Sequence, residues 1–239
     1  MTQINRIANG SKKLAVAALL FGAATVANAL SVTVTNDTFS QVSGAYIIDF
    51  GVSTINNTAP VVGNLAMAGS LGGVNYSYTG GALFNFDSLS NLPNGTSARP
   101  VGSTGNFWSI GTSPTTQNGP GNVDLGTGVS YYGFLWGSPD TNGWNTVSFY
   151  DGNTLLGAFD GNAILNPANG NQNYARYFNV FAGSGEVITN ISFTANTNAF
   201  ETDNHAFISA VPEPEIYAML GAGLGLMGWV ARRRRQQAA

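Results

Sequence analysis

Apolar and hydroxyl-bearing side chains alternate along much of the chain, beginning at Leu30-Ser31-Val32-Thr33-Val34-Thr35. Successive side chains of a strand point to opposite faces, so this period of two predicts a half-buried β-strand. The same signal predicts strands at 46–50, 74–78, 107–110, 129–135, 146–150, 154–159, 177–181, 187–195 and 205–210. The sharpest local prediction is a hairpin. Thr146-Val147-Ser148-Phe149-Tyr150 and 154–159 are joined by Asp151-Gly152-Asn153, and Asp-Gly supplies the positive φ of a tight turn. No stretch of the body has the period of an amphipathic helix of useful length. Many short strands punctuated by Gly, Asn and Pro predict an all-β fold, a β-sandwich of jelly-roll type. Residues 91–128 carry Leu92-Pro93-Asn94-Gly95, Ser113-Pro114 and Asn118-Gly119-Pro120-Gly121. They read as long surface loops around one buried strand at 107–110.

Both ends break the alternation with apolar runs. At the start, Arg6, Lys12 and Lys13 precede an apolar stretch over 14–26 and the small-residue site Ala27-Asn28-Ala29. That order is a signal peptide over 1–29, removed by signal peptidase after Ala29 so that the mature chain begins at Leu30. At the other end, Val211-Pro212-Glu213-Pro214-Glu215 leads into an uncharged run over 216–231, closed by Arg232, Arg233, Arg234 and Arg235. Two prolines in three residues fix φ and remove backbone donors, so this peptide stays extended and fits another protein's groove. The roughly sixteen apolar positions make a helix of about 24 Å, which spans a bilayer of about 30 Å only by thinning it or by snorkelling of its flanks. The arginines hold that end on the cytoplasmic side. The predicted organisation is therefore a signal peptide over 1–29, an ectodomain over 30–210 and a tail over 211–239.

Pro212-Glu213-Pro214, the glycine-rich span and the arginine cluster, in that order, resemble the PEP-CTERM sorting signal of Gram-negative bacteria. The resemblance implies recognition by exosortase, an integral-membrane cysteine transpeptidase that cuts near the Pro-Glu-Pro. It also implies an inner-membrane intermediate and final delivery to the cell surface or extracellular matrix. The signal peptide agrees, because it sets the N-out, C-in topology that such an enzyme requires. A second resemblance covers about 80 residues. Tyr132-Gly133-Phe134-Leu135-Trp136-Gly137-Ser138-Pro139-Asp140, the strand around Ser148-Phe149-Tyr150, and Phe200-Glu201-Thr202-Asp203-Asn204 are similar to β-sandwich ectodomains of PEP-CTERM proteins. It implies a fold and a surface setting. His205 departs from that pattern, where an aliphatic residue is expected.

Charge narrows the partners. Between 30 and 211 the only cations are Arg99 and Arg176, set against ten carboxylates, so the body carries 2 − 10 = −8. Nucleic acid and anionic lipid both need a basic face and are excluded as partners. There is no cysteine, which removes disulfides, thiolate nucleophiles and thiolate metal sites.

Candidate chemistry is sparse. His205 is the only histidine, so a histidine metal site or a Ser-His-Asp triad would depend wholly on it, and a lone histidine on a late strand is more commonly a packed or half-exposed residue. No nucleophile elbow, phosphate loop or His-Glu-x-x-His is present. The reading is non-enzymatic, with no catalytic residue assigned. Asp140, Asp151, Asp160, Glu201 and Asp203, with Asn142, Asn153, Asn162 and Asn204 beside them, are hard oxygen donors suited to Ca²⁺, although Asp-Gly-Asn is also ordinary turn chemistry. Among the aromatics Trp108, Trp136, Trp144, Tyr131, Tyr132, Tyr150 and Tyr174, most serve a core of this size. Trp136 and Trp144, flanking the turn over 137–143, are the candidates for glycan contact. Asn-x-Ser/Thr occurs at Asn36, Asn56, Asn75, Asn94 and Asn190, as a chain rich in these residues produces by chance. The expected function is a structural or adhesive role in exopolysaccharide or biofilm matrix. A carbohydrate-binding jelly roll, with or without calcium, is the alternative, and a glycan hydrolase the third.

Overall fold

A computed structural model describes residues 30–56, 60–85, 97–111, 119–141, 143–196, 198–210, 220–227 and 233. The described residues contain twelve strands, every pairing antiparallel: β1 (Ser31–Thr35), β2 (Tyr46–Ile48), β3 (Ala66–Leu71), β4 (Val74–Thr79), β5 (Ala82–Phe84), β6 (Phe107–Ile110), β7 (Gly121–Gly137), β8 (Asn145–Asp151), β9 (Thr154–Asp160), β10 (Ala175–Phe181), β11 (Ile188–Ala195) and β12 (Phe200–Ser209).

The architecture turns on β7, a strand of 17 residues. Its first part pairs with β4 and β11 through Gly121 to Asp124, while Tyr131 to Gly137 pair with β10 and Val129 to Gly137 also pair with β12. One hydrogen-bonded sheet is thereby bent into two layers that share β7. The first layer runs β3-β4-β7-β11-β8-β9; the second runs β1-β10-β7-β12, with β6 and then β5 beside one half of β12 and β2 beside the other. The bend falls at Gly126 and Gly128, whose φ of 55° and 90° are left-handed geometry that glycine adopts without steric cost. A Cβ at Gly128 would also lie 2.9 Å from the Val187 side chain.

The core lies between the layers and is largely aromatic. Phe134 of the second layer meets Phe193 of the first at 5.1 Å, edge to face, and Phe159 meets Phe178 at 5.4 Å. Such pairs add about 0.5–1.5 kcal/mol each beyond the area they bury.

The two outer faces differ. The second layer's is covered by its own chain: Ser40 Oγ lies 2.8 Å from the Tyr131 hydroxyl, Asn204 donates to the Thr38 carbonyl at 2.6 Å, and Pro100 packs where a Cβ on Gly137 would stand. Along the first half of β7, by contrast, buried and exposed residues alternate, and Asn122 and Asp124 face outward in the open. The loop-rich reading of 91–128 is corrected here. Residues 121–128 are strand, and Ser97, Ala98, Arg99 and Ser103 are buried rather than on a surface loop, because they seal the second layer. β3 and β5 were also not predicted; Ala66-Met67-Ala68-Gly69-Ser70-Leu71 is weak in β-branched residues, and Ala82-Leu83-Phe84 is short.

At the C-terminal end, residues 220–227 are helical. Among the described residues no helix is long and apolar enough to cross a membrane. The rest of the run over 216–231 and the whole predicted signal peptide, with Ala27 and Ala29, lie outside the described residues.

Candidate functional site

β12 carries two polar clusters, one on each of its faces. Toward the core, His205 is fully buried, with the Tyr132 hydroxyl 2.6 Å and the Tyr78 hydroxyl 3.4 Å from Nδ1, and Thr202 Oγ1 2.9 Å from Nε2. Tyr78 and Tyr132 are themselves 3.0 Å apart. The ring sits among Phe50, Trp108, Phe134 and Phe193. Burial pushes its pKa down to about 3, so it is neutral, and of its two ring nitrogens, set against the Tyr132 and Thr202 hydroxyls, one donates and the other accepts. An imidazole held neutral and sealed on all sides meets no solvent-borne substrate. His205 is a core residue whose polar atoms are satisfied in place.

On the other face, Glu201 and Asp203 lie under the segment 97–106. Glu201 accepts from the Ala98 amide at 3.0 Å and from Ser138 Oγ, with Ser97 Oγ 3.3 Å away. Asp203 accepts from Ser103 Oγ at 2.6 Å. Arg99, which reaches the Gly105 carbonyl at 2.9 Å and Asn85 Oδ1 at 2.7 Å, also stacks over Phe107 at 5.4 Å. Burial raises the Glu201 carboxyl to about 8 and Asp203 to about 6, against the opposing pull of their hydrogen-bond donors. Asn204, with φ of 51°, makes the bulge that lets Asp203 face outward and His205 inward.

The remaining predicted ligands stand apart. Asp140 is buried beside Asn198, which donates to it at 2.8 Å; Asp160 caps the 3₁₀ turn Gly161–Ala163 through the Asn162 amide at 3.1 Å; Asp151 sits in the predicted β8–β9 hairpin. Asn142 lies outside the described residues. Among the described residues no three His, Cys, Asp or Glu side chains gather as metal ligands.

The glycan-contact reading is corrected for Trp136. It is fully buried, stacked on Phe200 at 4.5 Å and Phe134 at 5.8 Å, because an inward position on the second layer faces the core. Its Nε1 has no hydrogen-bond partner among the described residues. Trp108, Tyr131 and Tyr132 are buried too. Trp144 is partly exposed in the β7–β8 turn, and Tyr150 is partly exposed on β8.

What the sequence reading missed is the open outer face of the first layer. A groove of about 560 Å³ crosses four strands there. The register aligns Ser77, Asp124, Asn190 and Tyr150 in one row and Thr79, Asn122 and Ser192 in the next. Gly152 and Asn153 of the β8–β9 turn form one rim, and among the described residues no cationic side chain lines the groove. Leu155, paired with Tyr150, is 54% exposed. The available signal was polar residues at period two: Ser77-x-Thr79, Asn122-x-Asp124 and Asn190-x-Ser192.

The remaining candidate is the tail. The model of the PEP-CTERM protein-sorting motif matches residues 210–235. The chain carries a PEP-CTERM sorting signal. That signal makes exosortase its processing partner and marks a protein exported to the cell envelope or surface. Pro212, Glu213, Pro214, Arg232, Arg234 and Arg235 lie outside the described residues, while Arg233 is helical and exposed. No curated protein and no solved structure matches the chain.

Proposed function

We propose that this is a non-enzymatic surface or extracellular-matrix protein of a Gram-negative bacterium, with a structural or adhesive role in exopolysaccharide or biofilm matrix. The observation that carries the reading is the sorting motif at 210–235. Signal peptidase releases the chain at Leu30; the run over 216–231 crosses the inner membrane as a transit intermediate, with Arg232 to Arg235 inside. Exosortase then acts at Pro212-Glu213-Pro214 and frees a jelly-roll-like sandwich. A body with a charge of 2 − 10 = −8 stays soluble and does not cling to anionic lipid after release.

Intact mass of the protein recovered from the surface or medium of its host tests this. The expected chain begins at Leu30 and ends within 211–214. A chain that keeps 216–239 would be a permanently anchored protein, and release by exosortase would be wrong.

A further inference from the structure

We infer that the groove on the outer face of the first layer binds an uncharged polysaccharide laid across the strands. The inference gives the matrix role above a ligand, and it rests on that reading only for its setting.

Three observations converge. The first is openness. The second layer's outer face is closed by the segments around Thr38 and Ser97–Ser103, which satisfy its polar groups. Asn122 and Asp124 on the first layer stand exposed. A groove of about 560 Å³ falls within the roughly 300–1,000 Å³ of ligand clefts.

The second is spacing. Side chains in one row repeat at the strand separation of about 4.8 Å, and the rows lie about 7 Å apart along the strands. A ligand crossing β4, β7, β11 and β8 therefore meets donors and acceptors at regular intervals over about 15 Å. An extended chain of sugar rings offers hydroxyls along such a length.

The third is chemistry. Hydroxyls and carboxamides both donate and accept, matching sugar hydroxyls, which do the same. The Asp124 carboxylate accepts from the Gly126 amide at 2.8 Å and keeps lone pairs for an incoming hydroxyl. At the end of its row Tyr150, beside exposed Leu155, supplies an aromatic and apolar edge for the C–H face of a ring. With Asp124 in the groove and no cation lining it among the described residues, a uronate or sulfated polymer is repelled and an uncharged one is not.

The test is affinity electrophoresis of the full chain through gels containing dextran, hydroxyethylcellulose, galactomannan or alginate. At least one uncharged polymer should retard the protein and alginate should not. Tyr150→Ala should weaken retardation about tenfold. Asn122→Ala, at an exposed strand position, should weaken it a few-fold with the melting temperature unchanged, which separates lost contact from lost fold. No retardation by any uncharged polymer, equal retardation of wild type and both folded variants, or preference for alginate would each overturn the inference. A protein still correctly trimmed and delivered in those cases would leave the surface-protein reading standing.

Discussion

Ser138 donates its hydroxyl to the buried Glu201 carboxyl, tying the turn after β7 to the start of β12 across 63 residues of sequence. The contact joins the Trp-Gly-Ser-Pro-Asp turn to the Phe-Glu-x-Asp-Asn strand, two motifs that look unrelated along the chain. Ser138 takes φ of 39° to make it, and a Cβ on the neighbouring Gly137 would lie 2.9 Å from Pro100. Motif residues that invite a catalytic or calcium reading are thus the closure of one sheet face.

Closure by a buried carboxyl makes stability depend on pH. Glu201 is raised in the fold to about 8, above its ordinary 4.5. Its contribution is therefore complete below about 4.5 and is lost as pH rises through 8, because the unfolded chain ionises first. Asp203, raised to about 6, acts in the same direction from 3.8 upward. The unfolding free energy from urea titrations should fall between pH 5 and 9, by an amount on the order of a few kcal/mol. Glu201→Gln should flatten the upper part of that slope, and an equally steep variant would assign it elsewhere.

His205 has the opposite sign. Its folded pKa near 3 lies below the ordinary 6.5, so its contribution is complete above 6.5 and is lost as pH falls toward 3. Replacing it with Ala should cost about 2–4 kcal/mol near neutrality, through the cavity and the hydrogen bonds lost to Tyr132 and Thr202. The variant should also lose less stability than wild type between pH 6.5 and 4, as read by urea unfolding at each pH. Loss of equal size in both proteins would mean that His205 titrates normally in the fold.

Trp136 and Trp144 should separate in their effects. Truncating the buried Trp136 to Ala should destabilise by about 3–5 kcal/mol, with Phe134, Phe178 and Phe200 left around the void. Trp144→Ala, in a partly exposed turn, should cost under about 1.5 kcal/mol. Thermal melts of the two variants decide it, and similar losses would contradict the burial described for Trp136.

The tail is tested by replacing Pro212-Glu213-Pro214 with Ala-Ala-Ala. That variant should remain in the inner membrane with its C-terminus intact, seen by fractionation and mass. Normal trimming would mean that Pro212-Glu213-Pro214 is not the peptide the processing enzyme reads.

Strand periodicity, the Asp-Gly hairpin and the sorting tail were legible in the chain, because each is a local pattern. Tight turns depend on which residue tolerates positive φ, half-buried strands on alternation, and a sorting signal on a short peptide read in extended form. Where the two layers part was not legible. It depends on Gly126 and Gly128 breaking β7, and glycines inside a strand look the same as glycines in a loop, so 121–128 reads as loop. Nor could the sequence tell that Trp136 faces inward and Asn122 outward, or that Glu201 lies under Ser97. Strands such as β7 and β8 carry side chains of both kinds, and which face is covered depends on segments far away in sequence. By itself the sequence determined the β class, the hairpin and the sorting signal at 210–235. Tertiary structure alone decided which polar face stays open, because cover is a property of packing between distant segments.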